Sequence, residues 1–109
     1  MRSADILDGG WRTAPFEPFR EGVEICHISG DPDGASVALL RYQPGASVPF
    51  HEHTGLETIL VLEGSQTDES GTYRAGTFVT NAAGTRHSVR SHDGCVVLIH
   101  WERPVRMLE

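Results

Sequence analysis

The sequence predicts an all-β fold, a double-stranded β-helix or jelly-roll barrel. Three observations carry that prediction. Roughly eight to ten short apolar runs are separated by turn-forming residues, the pattern of a sandwich or barrel. Twelve glycines and six prolines among 109 residues supply the turns. No stretch sustains the 3.6-residue period of an amphipathic helix. A chain of this length builds one core, and no repeat, low-complexity tract or composition shift divides it. Residues 1–109 therefore read as one domain, with residues 1–21 as an extended N-terminal arm.

In the arm, Pro15 and Pro18 oppose a helix, and Trp11, Phe16 and Phe19 are expected to pack on the barrel or on a second subunit. Residues 22–28 (GVEICHI) form a strand with partial alternation, and 29–34 (SGDPDG) a turn rich in Asp-Pro and Asp-Gly signals. Residues 35–42 (ASVALLRY) are the next strand. Pro44 and Gly45 turn the chain into 46–53, and residues 56–63 (LETILVLE) read as a strand buried on both faces that Gly64 ends. Residues 65–73 form a hairpin turning near 69–71, in which Asp68 and Glu69 read as solvated charges. Residues 76–81 are a strand, 82–85 a turn, and 86–91 a strand that points His87 inward. His92-Asp93-Gly94 turns into the final strand, 95–102 (CVVLIHWE); Pro104 stops it and 105–109 is a tail.

The stretch GASVPFHEHTGLETILVLEG, residues 45–64, organises the chain. Pro49, Gly55 and the β-branched Thr54, Thr58 and Ile59 disfavour a helix there. In a strand, residues two apart share a face, so His51 and His53 point together and Glu52 points away. A bend at Thr54-Gly55 lets Glu57 return to the same interior from the next strand. A second stretch, GTFVTNAAGTRHSVRS at 76–91, adds His87. Imidazole and carboxylate suit zinc, iron, manganese, nickel or cobalt, and this ligand set does not choose among them. His51, His53, Glu57 and His87 are thus the candidate ligands of one divalent transition metal. A lone His-x-His would be weak evidence; the spacing of the whole set is what strengthens it.

That spacing resembles the cupin superfamily. From Gly45 the order is five residues, His51, one residue, His53, three residues, Glu57, six residues, Gly64, which fills every fixed position of the first cupin motif. The second motif is matched at Gly76, Gly84 and His87, with Ala82 where proline is usual and Ser91 where asparagine is usual. Beyond the motifs, the chain resembles the ChrR-like cupins over nearly its whole length, in Val61-Leu62-Glu63-Gly64, Asp68-Glu69 before Gly71 and Tyr73, Gly94-Cys95 and an early tryptophan, Trp11. The resemblance implies a cupin barrel with a metal on three histidines and one glutamate, mapping onto His51, His53, Glu57 and His87. In the anti-sigma factor for which the family is named, this domain binds zinc and follows a helical zinc-binding domain. The present sequence has no such helical Cys/His region, so sigma-factor sequestration is not carried over. The family is also similar to small cupin dioxygenases that cleave diketones.

Three functions follow as expectations. One is a metal-dependent enzyme, such as a dioxygenase acting on a small diketone or enol, with Tyr42, Phe50 and His100 as candidates to shape the pocket. Another is a non-catalytic sensor or ligand-binding module in transcriptional or stress regulation. The third is a barrel that the metal only stabilises. The formal charge of −6 argues against a broad nucleic-acid surface. No apolar run suits a transmembrane helix or a signal peptide, so a cytoplasmic protein is expected. Cys26 and Cys95 read as buried thiols, His100 as a hydrogen-bonded structural histidine and His92 as solvated; His27 has no assignment. A homodimer is expected, since pairing hides sheet edges.

Overall fold

In the computed structural model, which describes residues 2–108, ten strands pair antiparallel throughout, in a curled sheet. They are β1 (Glu17–Arg20), β2 (Val23–Gly30), β3 (Ser36–Tyr42), β4 (Ser47–Glu52), β5 (Glu57–Asp68), β6 (Gly71–Arg74), β7 (Phe78–Asn81), β8 (Arg86–Arg90), β9 (Cys95–Trp101) and β10 (Arg106–Met107). Their order is β1-β2-β3-β9-β5-β8-β4-β10, with β6 and β7 also paired to β5. The jelly-roll expectation holds, and no α-helix occurs among the described residues.

β5 joins the two halves of the barrel. Its first part, from Glu57, pairs with β7 and β9; its last part, from Ser65, pairs with β6 and β8. The change of partners falls at Gly64, which sits at φ 73°. A Cβ there would lie 2.0 Å from the Gly94 carbonyl oxygen, so only glycine fits. The sequence reading ended the strand at this glycine. Instead, glycine lets the strand bend and continue, because a close backbone approach needs the absence of a side chain, not a chain reversal.

Alternation sorts the strand residues into two apolar layers. Inward side chains such as Val23, Ile25, Leu40, Val61, Val97 and Ile99 fill the barrel. Outward residues Cys26, Leu39, Leu62 and Val96 form a second layer covered by Trp11, with Ile6, Ala14 and Phe16 beside it. The N-terminal segment achieves that cover with two 3-10 turns, Ile6–Asp8 and Gly10–Thr13, and becomes extended from Ala14. Trp11 is 6% exposed. At the other end, residues read as a tail form β10, pairing Arg106 with Glu52 and Met107 with His51. A two-residue strand carries too little pattern to be read from sequence. Cys26 and Cys95 are buried free thiols, and burial pushes Cys95 up to about 11.

Candidate metal centre

The site begins with an irregularity in β4. Val48 pairs with Val89 of β8, but three residues later His51 pairs with His87, two residues earlier on β8. One extra residue therefore lies between them on β4. Without it, period-2 alternation from the buried Val48 would turn His51 outward. The bulge instead turns out Phe50, which is 43% exposed, and points His51 inward beside its cross-strand partner His87. His53 follows the end of the strand. Its N–H donates to the Thr85 carbonyl at 2.9 Å and its carbonyl accepts from Gly84 N–H at 2.7 Å, so the 82–85 turn grips it. Glu52, between the two histidines, points the other way and pairs with Arg106 and Arg86.

The three imidazoles meet in the barrel. One ring nitrogen from each lies within 4.8 Å of the others, and ring centroids are 5.2, 4.7 and 4.6 Å apart. Each Nδ1 faces an acceptor. His51 donates to the Pro49 carbonyl at 2.8 Å, His53 to Thr85 Oγ1 at 2.9 Å and the Thr85 carbonyl at 3.1 Å, and His87 to Asp68 Oδ2 at 3.0 Å. Thr85 Oγ1 is kept an acceptor because its own proton goes to the Ala82 carbonyl at 2.6 Å. With the proton held on Nδ1, each ring turns an Nε2 lone pair inward, the form a metal requires. His53 Nε2 and His87 Nε2 are buried and have no hydrogen-bond partner. Buried polar atoms left unpaired cost about 1–3 kcal/mol each. Two such lone pairs side by side fit a cation.

Glu57 stands beside this cluster rather than inside it. Its Oε1 is 3.2 Å from His53 Nε2, but not in hydrogen-bond alignment. Oε1 accepts from Asn81 Nδ2 at 3.0 Å, and Oε2 from Trp101 Nε1 at 2.9 Å. Burial alone would raise its pKa; in the metal-free site a His53 ring carrying its second proton, and the Asn81 amide, outweigh burial and hold it below the usual value. Burial lowers the His51 pKa, with the Pro49 carbonyl opposing. Asp68, raised by burial, is held low on balance by His87, the Ser70 N–H and the Tyr73 hydroxyl.

A cavity of about 40 Å³ adjoins the cluster, lined by His51, Glu57, His87, Tyr42, Gln66 and Trp101 among others. Phe19, Arg20, Trp101 and Val105 border both this cavity and an outer one of about 210 Å³. A larger concavity of about 510 Å³ has Arg20, Glu21, Gly22, Gln43, Ser47 and Pro49 in its lining and none of the three histidines.

Several sequence expectations are corrected here. Asp68 is not a solvated hairpin charge: its side chain is 9% exposed and anchors His87. Glu69 is exposed but accepts from the Ser88 N–H and hydroxyl. Tyr42 lines the cavity, whereas Phe50 and His100 do not. His100 faces away because its neighbour Ile99 points inward on β9. His92 is solvated as expected, and His27 is exposed at the outer cavity. Thr85, Asn81 and Trp101 carried no sequence signal, since their roles depend on cross-strand register.

A curled antiparallel barrel with three inward imidazoles at this register defines a small cupin with the donor set of a metal site. Comparison with known proteins narrows the class. The chain belongs to the ChrR cupin-like domain family, which matches residues 10–105. It is similar to the anti-sigma-E factor ChrR of Cereibacter sphaeroides, with 34% identity over 76 residues; that stretch is 67% of this chain and 36% of ChrR. The chain thus spans little more than a third of that relative's length. Among solved structures it is similar to an RmlC-like cupin from Ralstonia eutropha JMP134, with a TM-score of 0.80 and 26% identity over 94% of this chain and 71% of that one. It also shares its fold with an acetylacetone dioxygenase from Acinetobacter johnsonii, with a TM-score of 0.79 and 17% identity over 86% of this chain and 72% of that one.

Proposed function

We propose that His51, His53, His87 and Glu57 hold one divalent transition metal, zinc, iron, manganese or nickel, and that the site is catalytic. The reaction would be that of a metal-dependent enzyme, such as a dioxygenase, on a small diketone or enol-type molecule. The observation that carries this reading is the pair of buried, unpartnered Nε2 atoms of His53 and His87, in a cluster whose His51 and His87 line the inner cavity. The bound ion would supply Lewis-acid polarisation or, as iron, redox chemistry. The protein's own part is positioning. Asn81 and Trp101 fix Glu57 as an ionised carboxylate, and Pro49, Thr85 and Asp68 fix the three rings. Tyr42 is buried, and burial together with nearby Cys95 and Glu57 keeps its phenol protonated, able to donate to a substrate oxygen. Val48, Ile59, Val89 and Ile99 exclude water.

The test is metal analysis of protein purified without added metal, then oxygen uptake by iron-loaded protein across small diketones and enols. Turnover that disappears in His87→Ala supports the reading; no turnover with any loaded metal overturns its catalytic part.

A second reading is a non-catalytic sensor or ligand-binding module in transcriptional or stress regulation. The observation favouring it is the 34% identity to an anti-sigma factor. Co-purification of one specific partner protein with a catalytically silent barrel would decide for it. Under either reading we infer a cytoplasmic homodimer. Its support is the pair of free thiols for the location, and for the pairing the strands β1 and β10 that end the sheet order. Light scattering showing a monomer at micromolar concentration would overturn the dimer.

A further inference from the structure

We propose that Arg20 is a carboxylate anchor at the mouth of the metal cavity, and that the site takes a small organic acid with an apolar body. The inference rests on the metal reading above for the inner end of the ligand and adds the recognition of its outer end.

The placement of Arg20 follows from a second bulge. On β1, Pro18 pairs with Glu24 of β2, but Arg20 pairs with Val23. Phe19 is the extra residue. Directly opposed residues of an antiparallel pair share a face, and Val23 is 1% exposed in the barrel interior. The bulge therefore turns an arginine toward the interior, where unbroken pairing would have put Phe19 opposite Val23. Bulges of this kind re-aim side chains beside binding sites.

The guanidinium stacks over the Phe19 ring, 5.1 Å from its centroid, and has no oxygen acceptor. Its Nε is buried and makes no hydrogen bond. Its Nη2 reaches only the Met107 sulfur, at 3.8 Å. Arg12, Arg41, Arg86 and Arg106 each pair with a glutamate; among the described residues Arg20 pairs with no carboxylate, and unlike the unpaired Arg74, Arg90 and Arg103 it is not exposed. Nε and one Nη form the edge of the guanidinium that grips a carboxylate with two parallel bonds. That edge meets no oxygen acceptor in the fold: Nε is unpaired and Nη2 has only the sulfur.

The surroundings define the rest of the ligand. Arg20 borders both the inner cavity with His51 and His87 and the outer cavity of about 210 Å³. The outer cavity is walled by Phe19, Ile25, Pro32, Trp101 and Val105 among others. An apolar body fits those walls, a carboxylate fits Arg20, and a second oxygen reaches inward. Small oxo acids have this arrangement, and neutral diketones lack the charge.

Zinc-loaded protein of measured metal content, titrated by calorimetry with 2-oxopentanoate and with its neutral methyl ester, tests this. We expect the acid to bind about tenfold or more tightly than the ester, the usual gain from a charge-assisted pair. Arg20→Gln is expected to lose the preference while retaining its zinc, and Arg20→Lys to keep part of it. In metal-free protein, pentanoate is expected to shift the Arg20 Nε–H resonance, and pentan-2-ol to leave it in place. An unmoved resonance, or an Arg20→Gln variant that discriminates as well as the parent, overturns the anchor. A pentanoate-dependent shift in a protein that binds no zinc supports the anchor and counts against the metal reading instead.

Discussion

Each of the three histidines is held from behind by a different acceptor, and the differences set what each substitution should do. His51 leans on a backbone carbonyl that no side-chain change removes. His53 leans on Thr85, whose backbone oxygen remains after the hydroxyl is deleted. His87 leans on Asp68, a charged side chain that also accepts from Tyr73 at 2.9 Å. A carboxylate behind a ligating imidazole fixes its tautomer and raises its basicity. Asp68→Asn should therefore lower metal affinity by about 10–100-fold, measured by competition with a chelating dye. Thr85→Val should cost less in the same assay, because the carbonyl still orients the ring.

At the scale of elements, the barrel depends on one strand serving two sheet regions. β5 bends at Gly64 against the Gly94 carbonyl, with no room for a methyl group. Gly64→Ala should destabilise the protein by about 3 kcal/mol or more, combining positive-φ strain with the clash. Urea unfolding would measure it, and a loss under about 0.5 kcal/mol, the range of an ordinary surface change, would show that the bend is relaxed by other means. The N-terminal segment is a second dependence. Trp11 covers Leu39, Leu62 and Val96 on the outer face, so Trp11→Ala should cost about 3–5 kcal/mol in the same measurement. Its effect on metal affinity should be small, because that layer lies across the sheet from the histidines.

For the whole molecule, metal and pH act through the same buried groups. The Glu57 and Asp68 pKa values are held below their ordinary range in the fold. Their stabilising contribution is complete above the unfolded value of about 4 and is lost as pH falls through the lower folded values. Metal-free protein should therefore weaken on acidification below about pH 4, and Asp68→Asn should flatten that decline. Metal-loaded protein should begin to lose its added stability at higher pH, as protons compete for the imidazoles. Burial, which lowers the His51 pKa, should help that ring resist the competition. Metal at about a thousandfold over its dissociation constant should add about 4 kcal/mol near neutral pH. Urea midpoints across pH, with and without metal, would check both limbs.

By itself the sequence determined the all-β class, the turns, and which three histidines gather, because short apolar runs and the spacing of histidines between glycines are local properties. It also marked Glu57 and Tyr42 as candidates, and the structure places both at the cavity. Only the tertiary structure decided where alternation breaks. The extra residues before His51 and at Phe19 turn His51 and Arg20 inward, and a bulge is visible only once a strand has a partner. It also decided that Asp68 is an anchor rather than a surface charge, since His87 reaches it from another strand, nineteen residues along the chain. A side chain's face can be read from its neighbours in sequence; its hydrogen-bond partner is set by register between strands, which the fold as a whole must fix.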